Sequence, residues 1–289
     1  MNGEKIATLS IQLSSLQTFS RKYRKDFGGV LGGAIIFVFA ICAVFAPYIS
    51  PFNPKTPSFT SILAPPSGTH LFGTDNLGRD VLSNVIWGAR ISLEVGVLSG
   101  VLMLLIGLAT GIAAGFFKRW DKVVMSFTDS VLMIPIVPLI LVIVALFGSS
   151  IPLVILVIGA TGWPQVTRVI RAETLALRKR EFIDAASTSG VGHLGIIWNH
   201  VIPNELSVIF VNAALSISFG ILAEAALDFL GLGSVQISWG FMLFTSLNYW
   251  LSGAWWLAVF PGLAIFLASL AFYLIGEGVS NVFGTQSTA

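Results

Sequence analysis

Charge is scarce in this 289-residue chain: 10% of its residues are Asp, Glu, Lys or Arg and 55% are hydrophobic, whereas a soluble globular domain carries roughly 25% charged residues. A surface that poor in charge cannot face water on all sides, which excludes disordered, collagen-like, disulfide-rich and ordinary soluble-enzyme classes. Cysteine is scarcer still. The single Cys42 cannot form an internal disulfide, carries no redox or metal signal, and reads as a small buried hydrophobe in an apolar run. A net charge of +2, with no basic stripe interleaved with aromatics, gives no sign of a nucleic-acid partner. Catalytic motifs are absent as well. There is no G-x-x-x-x-G-K-[ST] phosphate loop, no His-Glu-x-x-His, no Cys/His cluster and no G-x-S-x-G. Asp75 and Asp80 flank Arg79 in a Gly-rich segment rather than forming a mid-membrane acid pair, so an intramembrane protease has little support.

What the chain does have is long apolar runs, read as helical spans at residues 28–49, 86–117, 123–147, 151–170, 206–229 and 255–279. Each approaches or exceeds the roughly 20 residues needed to cross a bilayer, and none shows the period-two alternation of a membrane strand. The first is too long for the apolar core of a cleaved signal peptide, so it is read as a retained helix. Pro135 and Pro138 interrupt the third, Gly162 and Pro164 the fourth. The expectation is an all-α integral membrane protein with six transmembrane helices, multi-pass in the cell membrane and bathed in its lipid.

Basic residues set the orientation. Lys5, Arg21, Lys22, Arg24 and Lys25, then Lys118, Arg119 and Lys122, then Arg168, Arg171, Arg178, Lys179 and Arg180 fall on one side, and none follows Arg180. Lys55, Arg79 and Arg90 complete the 16. Both termini are therefore expected in the cytoplasm. The organisation that follows is an N-terminal segment (1–27), a first transmembrane helix (28–50), an extracytoplasmic Pro-rich loop expected to be extended (51–85), a five-helix domain (86–280) with a cytoplasmic loop at 171–205, and a C-terminal tail (281–289).

Within the spans, Gly96, Gly100, Gly107, Gly111 and Gly115 lie on one helix face and permit close approach of a neighbouring backbone, as static packing or as a moving seam. Glu94, Asp129, Glu224 and Asp228 are costly in a bilayer. Arg90 and Glu94 are spaced to pair, and the like-charged Glu224 and Asp228 favour an interfacial or pore-facing position. His70, His193 and His200 all fall in loops, so a proton relay is poorly supported. Trp239, Trp250, Trp255 and Trp256 read either as an interfacial aromatic belt or as platforms for sugar rings.

The loop at 171–205 is longer than a span connection needs, and long loops in compact folds are usually functional. Residues 181–189 read as a short helix with Ala185 and Ala186 at its middle and Gly190 as its stop. A second short helix over 193–201 is expected to end at Pro203. Small side chains let another protein's groove close around a helix, and Phe182, Ile183 and Leu194 supply apolar anchors. The element reads as an amphipathic docking device rather than a catalytic loop.

Asp184-Ala185-Ala186, three residues, Gly190, then Ile202-Pro203 resemble the EAA loop of type I ABC-importer permeases. Asp184 stands where that pattern has Glu, His200 where it has Ile, and Ile202 where it has Leu. His200 with Pro203-Asn204 resembles the dipeptide/oligopeptide subfamily. Further blocks resemble its C-type subunit: 72–80 followed by 88–93, then 222–233, 238–240 and 260–262, together covering about residues 68–284. The resemblance implies a type I permease fold, a homologous B-type permease subunit as partner, two ABC ATPase subunits and an extracytoplasmic substrate-binding protein. It implies that Glu181, Phe182, Asp184, Ala185, Ala186, Gly190, Leu194, His200 and Pro203 form the ATPase-coupling interface, with ATP and Mg bound by the partner ATPases and no cofactor bound by this chain. Peptides rank first as cargo, with oligosaccharides or nickel as alternatives. A self-sufficient carrier or channel is the rival class.

Overall fold

The computed structural model describes residues 23–284 apart from 234 and 235. Most of the expected N-terminal segment, with Lys5, Arg21 and Lys22, and the tail from 285 lie outside the described residues. Among those described, the only strand-like pairing is a bridge between Thr74 and Asp80; the rest is helical or turn. Five helical stretches are long and apolar enough to cross a membrane: Phe27–Ile49, Val81–Phe116, Ile151–Leu177, His193–Phe229 and Trp256–Val282.

Helix α1 (Phe27–Ile49) is capped by Asp26, whose carboxylate accepts from the Gly29 amide at 2.7 Å. That amide and the Asn281 side chain hold the Asp26 carboxyl below its ordinary pKa. Helix α2 (Val81–Phe116) starts five residues earlier than the apolar run indicates, because Asp80 caps it through the Ser83 amide. The span expected at 123–147 is two helices, α3 (Lys118–Leu132) and α4 (Ile136–Phe147). Pro135 pushes the preceding residue out of helical conformation, and neither piece, at roughly 22 and 18 Å, matches a hydrocarbon core of about 30 Å by itself.

By contrast, Gly162 and Pro164 do not break α5 (Ile151–Leu177). Trp163 and Pro164 are buried, and packing holds the helix through the missing hydrogen bond. The short helices α6 (Glu181–Thr188) and α7 (His193–Ile196) follow. α7 does not stop at Pro203. It passes through a π turn, Ile197–Val201, into α8 (Ile202–Phe229). The wider turn carries the helix past a proline that cannot donate, and Asn204 Nδ2 donates to the His200 carbonyl at 2.6 Å. Helical extension at both ends thus takes up most of the loop expected at 171–205. A short α9 (Trp239–Ser246) and α10 (Trp256–Gly284) complete the chain.

Helix α2 is the central post, packed on α5 and α8, while α10 packs on α8 and α1. Its glycines decide this. A Cβ on Gly100 would sit 2.7 Å from Ile217 Cα, and one on Gly96 would collide with Ile221, both on α8. On Gly107, Gly111 and Gly115 it would meet Val166, Ile170 and Thr174 of α5 at 2.5, 2.7 and 2.5 Å. One glycine row therefore serves two neighbours.

The Pro-rich segment before α2 is folded, not extended. Asp75 accepts from the amides of Leu77 and Arg79 and from Arg79 Nε at 2.8, 2.9 and 2.7 Å. Thr74 is buried, and its carbonyl accepts from Trp256 Nε1 at 3.0 Å. Asp80 also holds His70 Nδ1 at 3.0 Å. These two carboxylates organise a turn and a cap.

Candidate functional site

At the opposite end of the bundle, α6 is anchored by one side chain and displays the rest. Ile183 is buried in a cluster with Phe116, Ile170, Ile196 and Val201. Phe182, Asp184 and Ala185 on the other faces are exposed, and Ala186 is half-buried. Of the three expected anchors, then, Ile183 holds the helix to its own bundle, while Phe182 and Leu194 (70% exposed) are left for something else. Glu181 and Asp184 lie in the first turn, where the helix dipole favours carboxylates.

The helix ends in a Schellman arrangement. Gly190 has φ 83°, its amide donates to Ser187 O at 3.1 Å, and the Val191 amide donates to Ala186 O at 3.2 Å. The hydroxyls of Thr188 and Ser189 donate to the Ala185 carbonyl at 3.0 and 2.8 Å, so carbonyls at the helix end are satisfied. Gly190 sends the chain into α7, where His193 meets the rings of Phe116 and Phe117 edge-on at 5.8 Å. Leu194 and Trp198 then project outward from the same end. The His200 ring, half-buried, lies 6.4 Å from that of Phe182, and Pro203 is exposed in the first turn of α8. A cleft of about 310 Å³ beside α6 is lined by Phe117, Lys118, Arg119, Arg178, Asp184 and His193 among others.

Three features of this end are not visible in the sequence pattern. Trp198 is 67% exposed and extends the apolar surface of Phe182 and Leu194. Lys118 and Arg119 reach the α6 cleft from a helix start some sixty residues away. Glu205 is fully buried, with Oε1 accepting from Thr174 Oγ1 at 2.6 Å and Oε2 without a partner among the described residues. That bond ties α5 to α8 directly behind the α6 platform. An acid two residues from a helix-starting proline resembles ordinary surface charge until its partner on another helix is known.

Residues 77–283 match the family described as binding-protein-dependent transport system inner membrane components, and residues 14–66 match the N-terminal transmembrane domain of oligopeptide transport permease C. The chain belongs to the first of these families. Among relatives, the dipeptide transport system permease protein of Escherichia coli is 38% identical over 286 residues, covering 96% of this chain and 95% of its own length. That of Bacillus subtilis is 34% identical over 272 residues, covering 93% and 85%. A putative peptide transport system permease protein of Brucella suis is 36% identical over 254 residues, covering 87% and 86%.

This permease is therefore a multi-pass inner-membrane protein, and its other features can be placed accordingly. Glu224 and Asp228 are buried inside the bundle rather than exposed to a pore. Glu224 accepts from Ser92 Oγ at 3.4 Å and Asp228 from Ser238 Oγ. Ser92 Oγ in turn accepts from the Trp239 amide at 3.2 Å, and Trp239 Nε1 donates to Val85 O at 2.9 Å. The network pins α9 onto α2 and α8. Trp239 and Trp256 are buried pins rather than a belt or a sugar platform, whereas Trp250 and Trp255 are exposed. Asp129 pairs with Arg168 at 2.6 Å and Asp121 with Arg171 at 2.5 Å. Arg90 and Glu94 do not pair with each other; the Arg90 guanidinium lies 5.5 Å from the centre of the Trp87 ring.

Proposed function

We propose that this permease is a non-catalytic transmembrane subunit of an ABC importer for di- and oligopeptides, moved by ATPases that dock on α6. One observation carries the reading: α6 is fixed to the bundle by Ile183 while Phe182, Asp184 and Ala185 stay exposed, in a chain without a phosphate-binding loop of its own. A short helix tied to the ends of α2, α5 and α8 behaves as a lever. Force applied to its exposed face reaches the spans through Ile183, Ile196 and Val201.

On this reading Glu181, Phe182, Asp184, Ala185, Ala186, Gly190, Leu194, His200 and Pro203 form the coupling surface, and the glycines of α2 set the close packing through which motion is passed. Both termini and α6 are cytoplasmic, supported by the bias of Lys and Arg to that side, and the 51–80 segment is extracytoplasmic. α3 and α4 together make the third of six crossings, preceding α5, α8 and α10 in a domain spanning about 86–280. The partners are a homologous B-type permease subunit, two ATPases that bind ATP and Mg, and a substrate-binding protein outside; this chain binds no cofactor. Relatives named for dipeptide and peptide transport favour peptides over oligosaccharides or nickel.

The test is reconstitution. Vesicles holding the complete complex should take up labelled dipeptide only with ATP inside and loaded binding protein outside, and this chain alone should hydrolyse no ATP. Uptake by the chain alone, driven by an ion gradient, would replace the reading with that of a self-sufficient carrier.

A further inference from the structure

The end of the bundle opposite α6 carries a cleft of about 640 Å³ whose lining includes Lys55, Arg79, Trp87, Arg90, Glu94 and Gln236. Its size is that of a small-ligand site. Its charge is unusual for this chain, because the three Lys and Arg residues that do not lie on the α6 side all converge on it.

Two of the three cations, Lys55 and Arg90, make no ion pair among the described residues, and the third is paired through one nitrogen. Arg79 gives Nε to Asp75 at 2.7 Å, which fixes the guanidinium while its terminal nitrogens find no acceptor among the described residues. Arg90 is exposed and rests on the Trp87 ring at 5.5 Å, although Glu94 lies one turn further along the same helix. Lys55 is exposed and likewise makes no ion pair among the described residues. Trp87 forms one wall, and its indole N–H is shielded from water without an acceptor.

Position adds a constraint. Arg90 and Glu94 lie about 13 and 20 Å along α2 from its start at Val81, at 1.5 Å per residue, on the exposed side of a helix that reads as a membrane span. A charged face on a membrane-spanning helix lines water or protein rather than lipid. On the reading of this chain as one subunit of a permease pair, that face borders the translocation path.

We propose that this cleft is a substrate subsite that receives the carboxylate terminus of the peptide on Arg90, Arg79 and Lys55, with Glu94 receiving its ammonium terminus. The proposal rests on the reading of the chain as a peptide-importing permease. The two ends of a dipeptide lie roughly 6–7 Å apart when extended, and residues 90 and 94 are separated by about 6 Å along the helix. A zwitterion of that length suits a basic cleft with one acid a turn away.

The experiment uses the complete complex in vesicles with saturating loaded binding protein, and compares Arg90→Gln, Arg90→Lys and Lys55→Gln with wild type. Two quantities are read: initial dipeptide uptake, and the Kd with which the loaded binding protein docks. Arg90→Gln should lower uptake about tenfold or more, as expected for a lost charge-assisted bond, with docking unchanged, and Arg90→Lys should keep most of the uptake. Lys55→Gln, in an exposed segment, should lower uptake about threefold and carries the test if Arg90→Gln disturbs assembly. Wild-type uptake in both Gln variants overturns the subsite. So does a tenfold weaker docking Kd with uptake restored by excess binding protein, which makes the cations a docking surface instead. A wild-type complex that moves no dipeptide overturns the parent reading, and this one with it.

Discussion

Gly190 and Ala185 separate geometry from contact on the same short helix. A Cβ on Gly190 would meet nothing within 4 Å, but its φ is 83°, so a substitution there strains the backbone without crowding a neighbour. Gly190→Val should cost about 1–2 kcal/mol locally and re-aim α7, leaving membrane insertion near normal while ATP-driven uptake falls. Ala185→Arg does the reverse, keeping the backbone and adding bulk to the exposed face. It should insert normally but fail to co-purify with the ATPases. Wild-type uptake and co-purification by both variants would remove α6 from the coupling path. Glu205 invites a third substitution. Thr174→Val leaves its buried carboxylate without a donor and should destabilise the assembled complex by about 1–3 kcal/mol, read as a lower thermal midpoint in detergent. Glu205→Gln, which still accepts from Thr174, should lose less. Local signals such as Gly190 and the Ala pair were legible in the sequence, because a helix stop and small side chains need no distant partner. Glu205, Ile183 and Trp239 were not, since their meaning lies in Thr174, Phe116 and Ser92, each far away in the chain.

Helices were legible by type and less so by extent. Apolar runs mark where a helix meets lipid, but α5 and α8 continue past their apolar windows on tertiary packing and side-chain bonds, which hydropathy does not register. Proline shows why context decides: Pro135 ends a helix at a weakly packed site, whereas Pro164 is absorbed in a buried one. The glycine row of α2 makes the same point testable. Replacing Gly by Ala within a helix ordinarily stabilises it by roughly 0.5–1 kcal/mol, and Gly33 on α1, with nothing within 4 Å of its Cβ position, should follow that rule or be neutral. At Gly111 the added methyl would lie 2.7 Å from Ile170 Cβ, so Gly111→Ala should be destabilising by about 1–3 kcal/mol. Thermal unfolding of the two variants in detergent checks the opposite signs, and a stabilising Gly111→Ala would mean that α2 and α5 do not sit this close in the membrane.

For the whole molecule, scarcity of charge was enough to indicate a helical membrane protein. The asymmetry of Lys and Arg gives it a direction that labelling can check. In a Cys42→Ser background, a cysteine at Ser67 should react with an impermeant thiol reagent in intact cells, and one at Ser187 only after the membrane is opened. The folded 58–80 segment was the largest departure from expectation. Prolines suggest an extended chain, but Asp75, Thr74 and Trp256 supply the hydrogen bonds that fold it onto α10.

The most direct test of the account joins orientation, partner and lever in one readout. A photo-crosslinking residue is placed at Ala185, and a second at Ser67 as the control, in cells that express the complete complex. The account predicts that the Ala185 probe captures an ATPase subunit, with a yield that changes when ATP hydrolysis is trapped, and that the Ser67 probe captures none. An Ala185 probe that reaches no ATPase while the complex transports peptide normally would contradict it.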